Sequence, residues 1–176
     1  NQPDPEFVRS EPAHILPEVD NFAQNTAEIT VEEIVSNISL CVKNAESKNA
    51  KLSGISQKHI YDTFLATKSG FEGFDRSTQF SHSMTMKREG VETKVSRSVK
   101  DHGRFNMQGM IEKLNSQFDS LNNPVQINKG HIPVILRPAA VLNWLHYLIW
   151  TFDRRTADEG NTPFTDQTGK QFFGKD

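Results

Sequence analysis

The sequence predicts an α+β fold, in which an antiparallel sheet of three to four strands packs with two or three helices in the order α-β-β-β-α-β-α. Apolar residues recur with helical spacing over 31–49 and again after Asn106. Three strand-like runs lie between these helices, and the tight-turn pair Glu89-Gly90 separates the last two. This succession is typical of an antiparallel meander that carries its helices on one face.

The size and composition are those of one domain with appendages. The chain has 176 residues, and its 20 Lys and Arg against 22 Asp and Glu give a formal net charge of -2. We therefore expect neither nucleic acid nor a membrane as a partner. The lone cysteine, Cys41, excludes an intrachain disulfide and favours a reducing compartment. Both ends look cut and no signal-peptide pattern is present, so we expect a fragment of a cytoplasmic protein.

Residues 1–27 are expected to form an extended, proline-rich arm. They hold four of the eight prolines of the chain, which lack a backbone donor and restrict the residue before them. Apolar side chains within the arm give it a means of docking onto the rest of the molecule. They are Phe7, Val8, Ile15, Leu16, Val19 and Phe22.

The first helix is predicted over about 31–49. Thr30 and Glu33 form a capping-box pattern at its start. Burying each larger side chain of its apolar stripe would contribute roughly 1.5–3 kcal/mol, so this face is expected to pack against other residues. Cys41 lies on the stripe and is interpreted as a core residue rather than a nucleophile. The stripe consists of Val31, Ile34, Val35, Ile38, Cys41, Val42 and Ala45.

Three strands are predicted to follow, over 59–67, 79–88 and 91–99. The second strand alternates large side chains with small polar ones, which is typical of a half-buried strand. Residues 70–75, rich in glycine and phenylalanine, are predicted to form a loop. The large side chains of the second strand are Phe80, His82, Met84 and Met86.

A second helix, a fourth strand and a core-poor tail follow in the sequence. Asn106 caps the second helix, and Pro124 follows its end. The fourth strand is predicted over 131–136. Residues 153–176 hold only four apolar side chains, so the tail is expected to need a partner surface or to be mobile.

The third helix is predicted over about 139–153 and is the most informative element. Pro138 precedes it, where proline commonly opens a helix. Apolar residues surround most of its circumference, so the helix is expected to be central in a core or to lie at an interface. Trp144, Tyr147 and Trp150 are side-chain types that dominate interfaces, and they are the interface candidates.

Histidines are the main candidates for chemistry. His59 and His82 lie on neighbouring predicted strands, and two imidazoles with a carboxylate can hold zinc. No spacing requires this, and the more ordinary interpretation of His82 is a half-buried surface residue. A hydrolase that groups Ser81, His82 and Asp101 is a further alternative. No phosphate-binding loop or nucleophile elbow is present, so we assign no catalytic or cofactor-binding residue.

Three segments in a fixed order carry a resemblance to a known family. Residues 67–83 read TKSGFEGFDRSTQFSHS, residues 130–138 read GHIPVILRP before the apolar helix, and residues 161–170 read NTPFTDQTGK. From about residue 28 onward, the chain resembles the TldD/PmbA family, whose members were named modulators of DNA gyrase. The resemblance implies a link to proteolysis and peptide maturation.

The resemblance also implies a domain organisation, since family members are longer than this chain. Residues 1–27 would be a linker or extended arm. Residues 28–136 would be the middle α+β domain of the family. Residues 137–176 would be the apolar helix and the entry into a truncated C-terminal domain.

The TldD branch of the family carries His-Glu-x-x-x-His on the helix that matches the third helix here. That motif implies a zinc ion that activates water. His146 aligns with the first histidine of the motif, but Tyr147 stands in place of the glutamate and Thr151 in place of the second histidine. The chain therefore resembles the PmbA (TldE) branch, and we expect zinc only in a catalytic partner.

The resemblance leads to a first hypothesis, with alternatives left open. The chain is expected to be the non-catalytic partner of a TldD-like subunit, or to self-associate, and to bind a peptide substrate. A second hypothesis is a stand-alone binding module whose sheet edge captures an extended peptide. The third is the hydrolase with a His/Ser site described above.

Overall fold

The structure, a computed structural model, describes residues 7, 12, 15 and 17–171. The chain divides into two units, residues 1–125 and 126–176. The elements of the first unit are α1 (Gln24–Glu28), α2 (Val31–Ser47), β1 (Lys51–Ala66), β2 (Glu72–Arg88), β3 (Val91–Val99), a 3-10 turn (His102–Arg104) and α3 (Met107–Ser120). Those of the second are α4 (Pro138–Trp150) and α5 (Arg154–Asp158). The predicted α+β class is confirmed.

The sheet is an antiparallel meander in the order β1-β2-β3. Its longest ladder pairs all of β1 with β2, from Lys51 opposite Lys87 to Ala66 opposite Glu72. β3 pairs only with residues 80–88 of β2, so β2 continues past the end of β3. The predicted strand over 91–99 is confirmed. The predicted loop over 70–75 is corrected, because β2 already begins at Glu72.

The core lies between one face of the sheet and helices α2 and α3. Cys41 is only 1% exposed, which confirms its interpretation as a core residue. Asn44 of α2 and Asn115 of α3 exchange two side-chain hydrogen bonds of 2.9 Å each, which tie the helices together. The buried cluster consists of Cys41, Ala45, Met84, Met86, Val95, Met110, Ile111, Leu114 and Phe118.

Of the α2 stripe, Cys41 and Ala45 are the buried residues, which corrects the expectation that the whole face is covered. The capping box of Thr30 and Glu33 is present as predicted. Val31 and Val35, however, are 71% and 53% exposed. Among the described residues, Cys41 is the first residue of α2 with a side-chain bond to α3; its Sγ lies 3.4 Å from the sulfur of Met107. The first turns of α2 therefore lack this contact with α3.

The last part of the predicted arm docks onto the sheet, and we call residues 17–29 the strap. The Thr78 backbone N–H donates to the Asn21 carbonyl at 3.0 Å, and the Ala23 N–H donates to Thr78 Oγ1 at 2.9 Å. Thr26 is fully buried and donates to the Lys100 carbonyl at 2.7 Å. The strap also contains α1, which the proline-rich composition does not predict; Phe7 and Ile15 are exposed, while Val8 and Leu16 lie outside the described residues.

The second unit contains no strand over 131–136, which corrects that prediction. These residues lack backbone pairing to a neighbouring strand in the described part of the chain, and Pro133 removes one donor. α4 begins at Pro138, one residue before the predicted start, and ends at Trp150, three residues before the predicted end. α5 forms in the tail, where Asp153 accepts from the Thr156 N–H at 2.7 Å. In the part of the chain that the structure describes, every helix is too short or too polar to cross a membrane.

Candidate functional site

Helix α4 presents the interface candidates on its surface. Trp144, Tyr147 and Trp150 are 75%, 77% and 74% exposed. Between Pro138 and Trp150 the sequence has no Asp, Glu, Lys or Arg. Several aliphatic side chains of the same helix are exposed as well, among them Val141, Leu142, Leu145 and Ile149. α4 is thus an uncharged apolar surface, of the kind that marks interaction sites on proteins.

Two of the three aromatic candidates are held in contact through His146. The Trp150 Nε1–H donates to His146 Nε2 at 3.4 Å, and the two rings meet edge to face at 6.2 Å. Tyr147 meets the same imidazole at 5.9 Å. Trp144 lies about one turn earlier on the helix. These contacts limit the rotamers of the aromatic side chains before any partner binds, which lowers the entropy cost of association.

The surroundings of His146 do not fit the zinc site of the TldD branch. Its Nε2 already accepts the bond from Trp150, and the Thr151 hydroxyl donates to the Leu148 carbonyl at 2.6 Å. Tyr147 takes the place of the motif glutamate. Among the described residues, no three His, Cys, Asp or Glu side chains converge on a common point.

The proposed pairing of His59 with His82 does not form. The β1–β2 register places Gln79 opposite His59 and Ser56 opposite His82. Because side chains alternate between the two faces of a strand, the two histidines lie on opposite faces of the sheet. His82 is 4% exposed, and its Nδ1 shares a hydrogen bond of 2.5 Å with Ser56 Oγ.

The hydrolase grouping of Ser81, His82 and Asp101 does not form either. Ser81 points to the opposite face of β2 from His82. The Asp101 carboxylate accepts from the Gly103 N–H at 2.9 Å and from Asn25 Nδ2 at 3.2 Å. These two bonds, the backbone one first, lower the pKa of Asp101. The Asp101 carboxylate therefore stabilises the turn at Gly103. Ser81 and His82 lie on opposite faces of β2, so this grouping does not place a nucleophile beside a base.

Acidification is expected to destabilise the first unit through His82. Burial disfavours the imidazolium and lowers the pKa of His82 below its ordinary value of 6.5. Below that pH the unfolded chain takes up a proton that the folded chain refuses, so the free energy of unfolding falls with falling pH. Urea denaturation at about pH 7.5 and about pH 5.5 measures this decrease, which should be smaller for His82→Gln than for wild type. Equal decreases in both proteins would contradict the assignment.

A second surface, whose position the sequence pattern does not predict, lies at the distal edge of β2. We define this distal edge as residues 72–79, the part of β2 that extends beyond β3. A groove of about 880 Å³ lies between this edge and the strap. The start of β2 is predicted as a loop because residues 70–75 contain glycines, which are typical of loops. The only indication in the sequence is the apolar content of the arm, which predicts docking.

The fold and the exposed helix together define an α+β protein that presents an uncharged aromatic surface. Comparison of the chain with protein-family models, with curated proteins and with solved structures finds no match.

Proposed function

We propose that the chain is the non-catalytic subunit of a TldD/PmbA-type peptidase of the cytoplasm, where it serves assembly and peptide binding. The observation that carries this proposal is the exposure of Trp144, Tyr147 and Trp150 on the uncharged helix α4. An assembly subunit needs such a surface, whereas a stable monomer gains nothing from exposing it.

The free energy available from α4 is large enough for a specific interface. A buried Trp side chain removes about 150–250 Å² from water. About three quarters of Trp144 and of Trp150 is still exposed, so at about 25 cal/mol per Å² each offers about 3–5 kcal/mol before the costs of association. Because α4 carries no charged side chain, burying it leaves no unpaired charge at the interface. The partner surface should accordingly be apolar and uncharged where it meets α4.

The non-catalytic assignment rests on the residues that replace the zinc motif. Tyr147 and Thr151 supply neither the general base nor the second imidazole of His-Glu-x-x-x-His, and His146 is bonded to Trp150. In the proposed complex, zinc belongs to the TldD-like partner.

The zinc content and the peptidase activity of the protein test this proposal. We expect the chain alone to bind no stoichiometric zinc and to cleave no peptide. In a mixture with a TldD-type protein from the same cell, which carries His-Glu-x-x-x-His, we expect activity with zinc on the partner. Stoichiometric zinc and cleavage by the chain alone would overturn the non-catalytic assignment.

A stand-alone peptide-binding module is the second candidate, and the distal edge of β2 favours it. An open strand edge captures extended peptides through backbone hydrogen bonds and needs no second subunit. Peptide binding by the chain, with no association with a TldD-type protein, would favour this candidate over the first.

A further inference from the structure

We propose that the distal edge of β2 and the strap hold one extended peptide segment as an added strand, in line with β3. The inference rests on the peptide-binding part of the proposed function. It goes beyond that function because it assigns the peptide to one strand edge and to one side of the sheet.

The hydrogen-bonding direction of β2 determines which backbone groups of this edge face away from β1. The Thr78 N–H donates to Asn21 of the strap and therefore points away from β1. In an antiparallel ladder this direction repeats at every second residue, so the backbone groups of Phe74 and Arg76 also point away from β1. Within the described residues, no strap backbone group bonds to Phe74 or Arg76. An added strand would pair with these two positions.

The groove beside this edge has the size and lining for a single strand. Its volume of about 880 Å³ falls within the roughly 300–1,000 Å³ of ordinary ligand pockets, which suits a few extended residues and not a folded hairpin. The apolar residues that line it include Val19 and Phe22 of the strap, Leu65 of β1 and Phe74 of β2. Alternate side chains of the peptide would meet these apolar residues.

The charges around the groove favour a basic residue in the peptide. Glu18 and Asp75 line it. Of the described residues that line it, Arg76 is the one with a cationic side chain. Its guanidinium already pairs with Asp62 at 3.0 Å and lies 4.7 Å from the centre of the Phe22 ring. A Lys or Arg beside the apolar residues of the peptide would therefore complement the acidic side chains.

Titration of the 176-residue chain with the peptide acetyl-Lys-Val-Thr-Phe-Val-Thr-amide tests the inference. Phe74→Pro removes the N–H that faces the groove, and Gly73 before it tolerates a following proline. Phe74→Ala removes the same ring and keeps the N–H. We expect Phe74→Pro to bind the peptide at least about tenfold more weakly than Phe74→Ala. Equal affinities would overturn the inference.

A second experiment uses the wild-type protein and therefore does not depend on the folding of a variant. Methylation of alternate backbone nitrogens in the peptide removes its donors and keeps its side chains. We expect wild-type protein not to bind the peptide whose methylated nitrogens are those that face β2. Binding of that peptide would contradict strand addition. The Trp144→Ala, Trp150→Ala double variant should bind the peptide like wild type. Failure of the peptide to bind, with intact association with a TldD-type protein, would remove this inference and leave the assembly role.

Discussion

Replacing Phe118 with Ala is expected to lower the free energy of unfolding of the first unit by about 3–5 kcal/mol. The Phe118 ring is 1% exposed and belongs to the cluster that joins α3 to the sheet. Its removal leaves a cavity that rigid neighbours fill only in part. The Arg88 guanidinium, 5.2 Å from the ring centre, also loses a cation–π contact.

Urea denaturation followed by far-ultraviolet circular dichroism measures this loss. Both tryptophans lie in residues 126–176, so tryptophan fluorescence does not report on the first unit. Phe64→Ala is the matched control, since the Phe64 ring is 66% exposed and its removal should cost no more than about 0.5 kcal/mol. Equal effects of the two substitutions would show that the core is placed wrongly.

Replacing Trp144 or Trp150 with Ala is expected to weaken association with a TldD-type partner by about 30-fold each. This corresponds to about 2 kcal/mol, the usual lower limit for an interface hot spot. Both side chains are about three-quarters exposed in the chain alone. The substitutions should therefore leave its stability within about 0.5 kcal/mol of wild type.

Isothermal titration calorimetry of each variant against the partner measures this effect. Tyr61→Ala is the control, because Tyr61 is an exposed aromatic residue on β1, outside α4. It should bind with the affinity of wild type. If the Trp variants and the Tyr61 variant bind alike, α4 is not the interface.

Local patterns explain which elements the sequence predicts well. β3 has clear alternation after a tight turn, and the observed strand, Val91–Val99, has the predicted limits. The first half of β1 has no such alternation, because Ser53, Gly54 and Ser56 carry no large apolar side chain. It forms a strand because β2 supplies its hydrogen bonds, and at Gly54 an added Cβ would lie 2.3 Å from the Ser83 carbonyl oxygen. Such a requirement is visible only when both strands are in place.

Of the two candidate surfaces, α4 is predicted from residues close together in the sequence, whereas the distal edge of β2 is not. The residue types of α4 indicate an interface, but hydrophobic periodicity alone does not distinguish a buried helix from an exposed one. The groove beside the distal edge of β2 forms because the strap docks there through Asn21 and Thr78. That contact joins residues far apart in the sequence, so no local pattern predicts it.

The binding of the wild-type chain to a TldD-type protein from the same cell tests the central claim most directly. Sedimentation velocity of an equimolar mixture should show one species heavier than either component, and the Trp144→Ala, Trp150→Ala double variant should not form it. A mixture in which both proteins sediment as they do alone would contradict the proposal that this chain is an assembly subunit.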